Sequence, residues 1–178
     1  VKLAITVLLE EPPKLVVSGI NMGGNLGICA LYSGTVSAAT EAMIMGVPSI
    51  AVSLDTYENP DFKPAAKFTR KFIPQLLEKG LPEGVVLNIN VPAVSESEFA
   101  GVAITRQGKS RVIEEFDCRK DPHGRTYYWL AGEMLFEETE EGADCVMIAK
   151  KYISVAPIHF DLTHYPSLDK LKDWKIEL

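Results

Sequence analysis

The chain has 178 residues and a net charge of −6, with a pI near 5.1 and a mean hydropathy of +0.07. That length and 47% hydrophobic content fit one globular domain with a full core. The acidic balance disfavours nucleic-acid polymers as partners, and no apolar run approaches the roughly 18 residues of a membrane span. Cys29, Cys118 and Cys145 are odd in number and lack CxxC spacing. A disulfide framework or zinc ribbon is therefore not expected. That cysteine usage makes a reducing cytoplasm the expected location, and the opening residues show neither the basic region nor the cleavage site of a signal peptide.

In chain order, VKLAITVLLEE gives a helix-like stripe at Val1, Leu3, Ala4, Val7 and Leu8, closed by Pro12-Pro13. KLVVS (14–18) reads as a short buried strand. A glycine-rich loop follows. Residues 33–45 read as a helix started by Ser or Thr and ended by Gly46. PSIAVSL (48–54) is a second strand. Residues 61–79 form a second helix, in which Pro74 is expected to kink or divide the rod. VVLNINV (85–91) is a third strand. Strand, helix, strand, helix, strand predicts parallel pairing through right-handed crossovers, with strands apolar on both faces. Beyond Pro92, VAITRQG and RVIEEFD read as strands. DPHG (121–124) is a turn leading into RTYYWLAGE, so a β-hairpin is expected. The acidic stretch 133–144 reads as a solvated loop. YISVAPIHF (152–160) is a further strand and residues 166–178 a short amphipathic helix.

The loop in LVVSGINMGGNLGICALYSGTVSAATEA (15–42) carries the chemistry. It lies after a strand and before a helix, where open α/β sheets bind ligands. Ser33-Gly34-Thr35 would present free N–H groups, two hydroxyls and the positive end of a helix dipole to an anion. GxGxxG is absent. No lysine lies between residues 15 and 62, so this is no Walker-type P-loop. The plainer alternative is that Ser33 only caps a helix. Asn21 and Asn25 offer neutral amide oxygens to a hard cation, which normally wants carboxylates as well. Glu41 and Asp55 are the near candidates, and neither is aimed at Asn21 by sequence position.

At SGINMGGNLG followed by LYSGTVSAATEA the chain closely resembles the SurE family of stationary-phase survival proteins, metal-dependent 5′/3′-nucleotidases. The likeness continues through GVPSIAVSL, LNINVP, ITRQG, YYW and YISVAPIHFDLTHY. It implies an α/β fold with a doubly wound, Rossmann-like, mostly parallel sheet. It also implies a protruding hairpin and a C-terminal swapping segment. The whole chain, 1–178, is then one domain equivalent to the C-terminal two-thirds of the family domain, with 111–150 as the hairpin excursion. The implied activity is phosphate removal from nucleoside monophosphates with Mg²⁺ or Mn²⁺, together with polyphosphate trimming. Carried over by position, Asn21 is a metal ligand and Asn25, Ser33, Gly34 and Thr35 contact phosphate. His159, Asp161 and Thr163 belong to an interface of a homodimer or tetramer. Nucleic-acid polymers and membranes are not expected partners.

Two departures qualify this resemblance. Gly24 replaces a usual proline and Ile28-Cys29-Ala30 replaces residues that are commonly acidic, so the loop is expected to be more mobile and less polar at its tip. The Asn-Asp-Asp-Gly strand end that supplies the family's metal-binding aspartates has no match here, since VKLAITVLLEE resembles the helix after it. The chain by itself is therefore expected to be inactive or to need that segment supplied. No nucleophile is assigned; Ser33 is a donor, with no His or Lys beside it in sequence to activate it. His164 is given a structural role. Tyr127, Tyr128 and Trp129 are expected to pack against a partner strand rather than stack a base. The alternatives are a non-catalytic phosphate- or nucleotide-binding module and a purely structural oligomer.

Overall fold

The computed structural model describes residues 1–135 and 138–176. Phe136 and Glu137 of the acidic stretch, and Glu177 and Leu178 of the C-terminal segment, lie outside the described residues. The elements are β1 (Val16–Met22), α1 (Gly34–Ile44), β2 (Ser49–Asp55), α2 (Lys63–Lys79), β3 (Val86–Pro92), β4 (Gly101–Ile104), β5 (Arg111–Lys120), β6 (Thr126–Leu135), α3 (Asp144–Ala149), β7 (Tyr152–Ile158) and α4 (Tyr165–Lys172). Five strands form one sheet in the order β1-β2-β3-β7-β4, and β5 and β6 form a separate hairpin. The β1/β2, β2/β3 and β4/β7 pairs are parallel and β3/β7 is antiparallel. The fold is α/β on a mixed, mostly parallel sheet.

The two faces of that sheet differ. Ile50, Val52, Leu54, Ile89, Val91, Ile153 and Val155 form one continuous core with Ala65 and Leu76 of α2. The other face meets α1 through small residues, with Ala51 and Val86 against Val36 and Ala39. Ser49 Oγ on that face donates to Ala39 O at 2.7 Å, which draws α1 close to the sheet. Strands apolar on both faces were expected. Instead, the period-two alternation of Ser49, Ala51 and Ser53, and of Val86, Asn88 and Asn90, puts polar side chains on the α1 face. All six residues are buried.

Pro74 does not divide α2, which runs as one helix from Lys63 to Lys79. The proline is exposed, so the carbonyl it leaves without a helical partner meets water. The opening stripe forms a short π-helical turn, Ala4–Leu8, with no buried residue. Leu3, Val7 and Leu8 are exposed, and β1 is an edge strand whose Val17 and Met22 are also exposed.

The hairpin forms as expected, in register from Arg111↔Leu135 to Lys120↔Thr126. Its turn is set by Asp121, whose Oδ1 accepts the His123 and Arg125 amides at 2.9 and 2.8 Å. Tyr127, Tyr128 and Trp129 are exposed. Trp129 stands across from Asp117, and the opposing strand meets it through the Arg119 guanidinium at 5.4 Å from its ring centre.

The acidic stretch is only partly a solvated loop. Arg106 pairs with Glu138 at 3.3 Å and Glu140 at 2.5 Å. Asp144, its last residue, is completely buried. The reason is tertiary: in that interior its carboxylate accepts the backbone amides of Gly27, Gly108 and Cys145.

Candidate functional site

The carboxyl ends of β1, β2 and β3 converge beneath the glycine loop. The register places Asn21 beside Ser53, Ser53 beside Asn90, and Asn90 beside Ser154. Neighbours in register share a face, so a polar row crosses four strands of a largely apolar sheet. Ser154 closes the row against Thr105, with the hydroxyls 2.8 Å apart.

Asn25 is anchored to this row. Its backbone N–H donates to Asn90 Oδ1 at 2.8 Å, and its carbonyl accepts from Asn88 Nδ2 at 2.8 Å and Asn90 Nδ2 at 3.3 Å. Its side-chain Nδ2 donates to Ser53 Oγ at 2.6 Å. Buried backbone N–H and C=O groups must find partners or cost stability, and for Asn25 two asparagines supply them where a neighbouring strand normally would. The Asn25 amide nitrogen carries a second hydrogen not used by Ser53.

Residues 23–27 are all buried. A Cβ on Gly24 would collide with the Asp55 carboxylate, and one on Gly23 would stand 2.5 Å from the Tyr57 ring. Glycine at 24 is what lets the backbone lie against the Asp55 side chain. Burial raises the Asp55 carboxyl above its ordinary value. Asp55 ends β2 two residues beyond Ser53, on the face that carries Asn21. Glu41 lies down α1 and is paired with Lys2 at 3.2 Å.

Beyond the loop, Ser33 is the N-cap of α1, and its Oγ accepts the Val36 amide at 3.2 Å. Capping is thus part of its role, while its hydroxyl hydrogen stays free to donate. Gly34 and Thr35 open the helix, and among the described residues nothing beyond the adjoining chain lies within 4 Å of where a Cβ on Gly34 would stand. That clear space over a helix N-terminus suits an anion approaching the backbone.

Asn21 donates through Nδ2 to Met22 O at 3.1 Å and Gly23 O at 2.8 Å. Its amide oxygen is left as the group a cation would meet. Among the described residues no group of three or more His, Cys, Asp and Glu is placed to hold a metal.

Comparison with known proteins decides the family. A family profile described as Survival protein SurE matches residues 1–114. The chain belongs to the SurE family. This SurE-family chain is 46% identical over 176 residues to 5′-nucleotidase SurE of Syntrophobacter fumaroxidans, covering 99% of the chain and 70% of that protein. It is 50% identical over 187 residues to 5′-nucleotidase SurE of Nostoc sp., covering 100% of the chain and 71% of that protein. Its fold resembles the crystal structure of the Sure protein from Aquifex aeolicus with a TM-score of 0.80 and 42% identity, over 96% of this chain and 69% of that one.

Asn21 and Asn25 lie at the carboxyl ends of the strands, and Ser33, Gly34 and Thr35 open α1, which packs on β1 and β2. The structure places His159, Asp161 and Thr163 on an exposed segment after β7. There Asp161 Oδ1 accepts the Thr163 amide at 2.9 Å, His159 Nδ1 accepts the Asp161 amide at 3.3 Å, and the Tyr165 hydroxyl donates to Asp161. His164 Nδ1 lies 2.6 Å from Ser167 Oγ, a local bond at the start of α4. Sequence reading missed Ser53, Asn88 and Asn90. The signal was present in VSL and LNINV, as polar residues two apart inside otherwise apolar strands. Among the described residues no helix is long and apolar enough to cross a membrane.

Proposed function

We propose that the loop and helix start at residues 21–35 bind the phosphate of a nucleoside monophosphate, and that the chain is the phosphate-binding part of a 5′-nucleotidase. The observation that carries this reading is the open helix N-terminus at Gly34, aligned with a loop fixed onto the sheet through Asn25. The Gly34 and Thr35 amides, the Ser33 and Thr35 hydroxyls and the free hydrogen of the Asn25 amide are donors for non-bridging phosphate oxygens. Such donors stabilise charge that grows as phosphorus is attacked. The names of the relatives support the same substrate class.

A Mg²⁺ or Mn²⁺ site takes several oxygen ligands, carboxylates among them. The described residues offer the Asn21 amide oxygen, with Asp55 as the nearest carboxylate along the strand ends. That donor set does not make a divalent site by itself. The residues present account for holding phosphate and not for activating the attacking water. Metal dependence, polyphosphate trimming, a cytoplasmic location and a homodimer or tetramer formed through His159, Asp161 and Thr163 are parts of the same proposal. So is the single domain 1–178. Exposed Phe160, Leu162 and Tyr165 beside those three residues support the interface.

The incomplete donor set favours one second reading, a nucleotide-binding module without turnover. Phosphate release from adenosine monophosphate, titrated with Mn²⁺ and Mg²⁺, separates the two. Metal-dependent release that disappears in Asn21→Ala supports the phosphatase. Binding without release supports the module. No binding of adenosine monophosphate or inorganic phosphate refutes both.

A further inference from the structure

Asp144 is buried, bears a carboxylate and lies far in sequence from the phosphate loop, yet it touches that loop directly. Its Oδ2 accepts the Gly27 amide at 2.9 Å. Its Oδ1 accepts the Gly108 amide at 2.9 Å and the Cys145 amide at 2.7 Å. The other side of Gly27 is held as well: Gln107 Nε2 donates to Gly27 O at 2.8 Å. One residue on, the Ile28 amide donates to Ser110 O at 2.9 Å. Gly27 sits at φ +53, and a Cβ there would stand 2.6 Å from Ser110 O. Leu26, fully buried, packs with Ala143, Cys145 and Ile148.

These contacts come from two segments that meet at the root of the hairpin. Residues 106–110 lead into β5, and residues 138–144 follow β6. They are joined by Arg106 N–H to Gly142 O and Asp144 N–H to Arg106 O, both 2.9 Å. The β strands hold the loop through Asn25, and the hairpin root holds it through Gly27. Between Gly27 and Ser33 the chain forms a single 3-10 segment, Gly27–Tyr32. A shift at Gly27 is therefore transmitted to Ser33, Gly34 and Thr35.

We infer that Asp144 is a positioning residue for the phosphate loop, setting the path of residues 25–35 from the root of the β5–β6 hairpin. A carboxylate suits the task because it accepts at both oxygens. In the isosteric Asp144→Asn, an NH₂ group must face either the Gly27 amide or the Gly108 and Cys145 amides, and donor then meets donor. The inference rests on the phosphate-binding reading for its effect on affinity. Its effect on loop order stands without it.

The experiment compares the full chain with Asp144→Asn, Gln107→Ala and Leu76→Ala. Amide hydrogen exchange across residues 25–35 and affinity for adenosine monophosphate are both read. Gln107 is exposed, so its variant tests the Gly27 contact without a buried change. Leu76→Ala opens a cavity in the core between α2 and the sheet, on the face away from the loop. The expected result is faster exchange at residues 27–35 in Asp144→Asn and, more weakly, in Gln107→Ala. Affinity should fall about tenfold in Asp144→Asn. Leu76→Ala should keep affinity within about twofold despite a lower melting temperature. Equal changes in Asp144→Asn and Leu76→Ala, scaled only to melting temperature, would overturn the inference. So would wild-type exchange at residues 27–35 in both Gln107→Ala and Asp144→Asn. Should the unaltered chain fail to bind the nucleotide, the phosphate-binding reading falls, and the exchange comparison still decides the role of Asp144.

Discussion

Replacing Asn90 with alanine tests whether the asparagine row is what holds the glycine loop. Asn90 is completely buried and bonds to both the backbone N–H and the backbone carbonyl of Asn25. Truncation leaves the Asn25 amide without an acceptor inside the fold, which costs about 1–3 kcal/mol. The second lost bond is long, and Asn88 still donates to the same carbonyl at 2.8 Å, so it adds little. A loss near 2 kcal/mol lowers the melting temperature of a domain this size by roughly 4–8 °C. The decisive reading is local. Exchange of the Asn25 amide should rise well beyond that of amides in β3, because its bond is removed while the strand ladder stays. Ile89→Ala, on the opposite face, supplies the comparison; it costs a similar or larger amount by cavity formation and should leave the Asn25 amide protected relative to its own global stability. If Asn90→Ala melts within about a degree of the unaltered chain, or if its Asn25 amide exchanges only in step with global unfolding, the row is not what fixes the loop.

Other substitutions probe neighbouring links. Ser33→Ala removes the α1 cap and should cost about 1 kcal/mol in denaturant unfolding, with weaker phosphate binding as a separate loss; a variant that binds phosphate normally would leave Ser33 as a cap alone. Gly24→Ala should destabilise by about 1–3 kcal/mol because its Cβ meets the Asp55 carboxylate, and Asp55→Ala in the same chain should recover much of that loss; additive effects would contradict the contact. Burial raises the Asp55 pKa, so the fold favours its neutral form, and its unfavourable contribution appears as pH climbs from the ordinary value of 3.8 through the raised one. Asp55→Asn should therefore gain stability over the unaltered chain with increasing pH across that window, and a pH-independent difference would show the carboxylate to be otherwise compensated. Glu98 has the opposite sign: its bonds to Lys151 and Ser95 lower its pKa from 4.5 to about 2, so its contribution is present above 4.5 and fades as pH falls toward 2. A carboxyl titration by NMR should find that value, and Lys151→Ala should return it toward 4.5.

The sequence was most legible where one physical rule acted alone. Apolar runs marked β1, β2, β3 and β7, the DPHG turn marked the hairpin, and Ser33 marked the start of α1, each from local pattern. It was less legible where tertiary context decides. Pro74 reads as a break, but an exposed proline costs a helix one bond that water replaces. Gly24 reads as a point of backbone freedom, and the sequence does not show that the Asp55 side chain stands where its Cβ would be. Asp144 reads as one more charge in an acidic stretch, and only the approach of Gly27 and Gly108 makes it a buried acceptor. Asn88 and Asn90 were visible as a pattern, yet their partner is a loop more than sixty residues away.

These particulars describe a loop whose order is set from outside itself. Glycines at 23, 24 and 27 remove side chains at the points where Tyr57, Asp55 and Ser110 press closest. That leaves the loop with little of its own to stabilise one path, since glycine loses more backbone entropy on ordering than other residues. The missing stabilisation comes from Asn88 and Asn90 on one flank and Asp144 and Gln107 on the other. Both anchor sets bond to backbone atoms of the loop, and among the described residues neither engages the N–H groups of Gly34 and Thr35; Ser33 Oγ accepts the Val36 amide and keeps its own hydrogen to donate. A phosphate site needs donors already in place and without competing partners, because reorganising them on binding would use up the interaction energy. Division of labour between backbone-gripping buried polar residues and an uncommitted helix start satisfies that requirement. It also explains why the polar residues of β2 and β3 sit inside a sheet whose other face is wholly apolar.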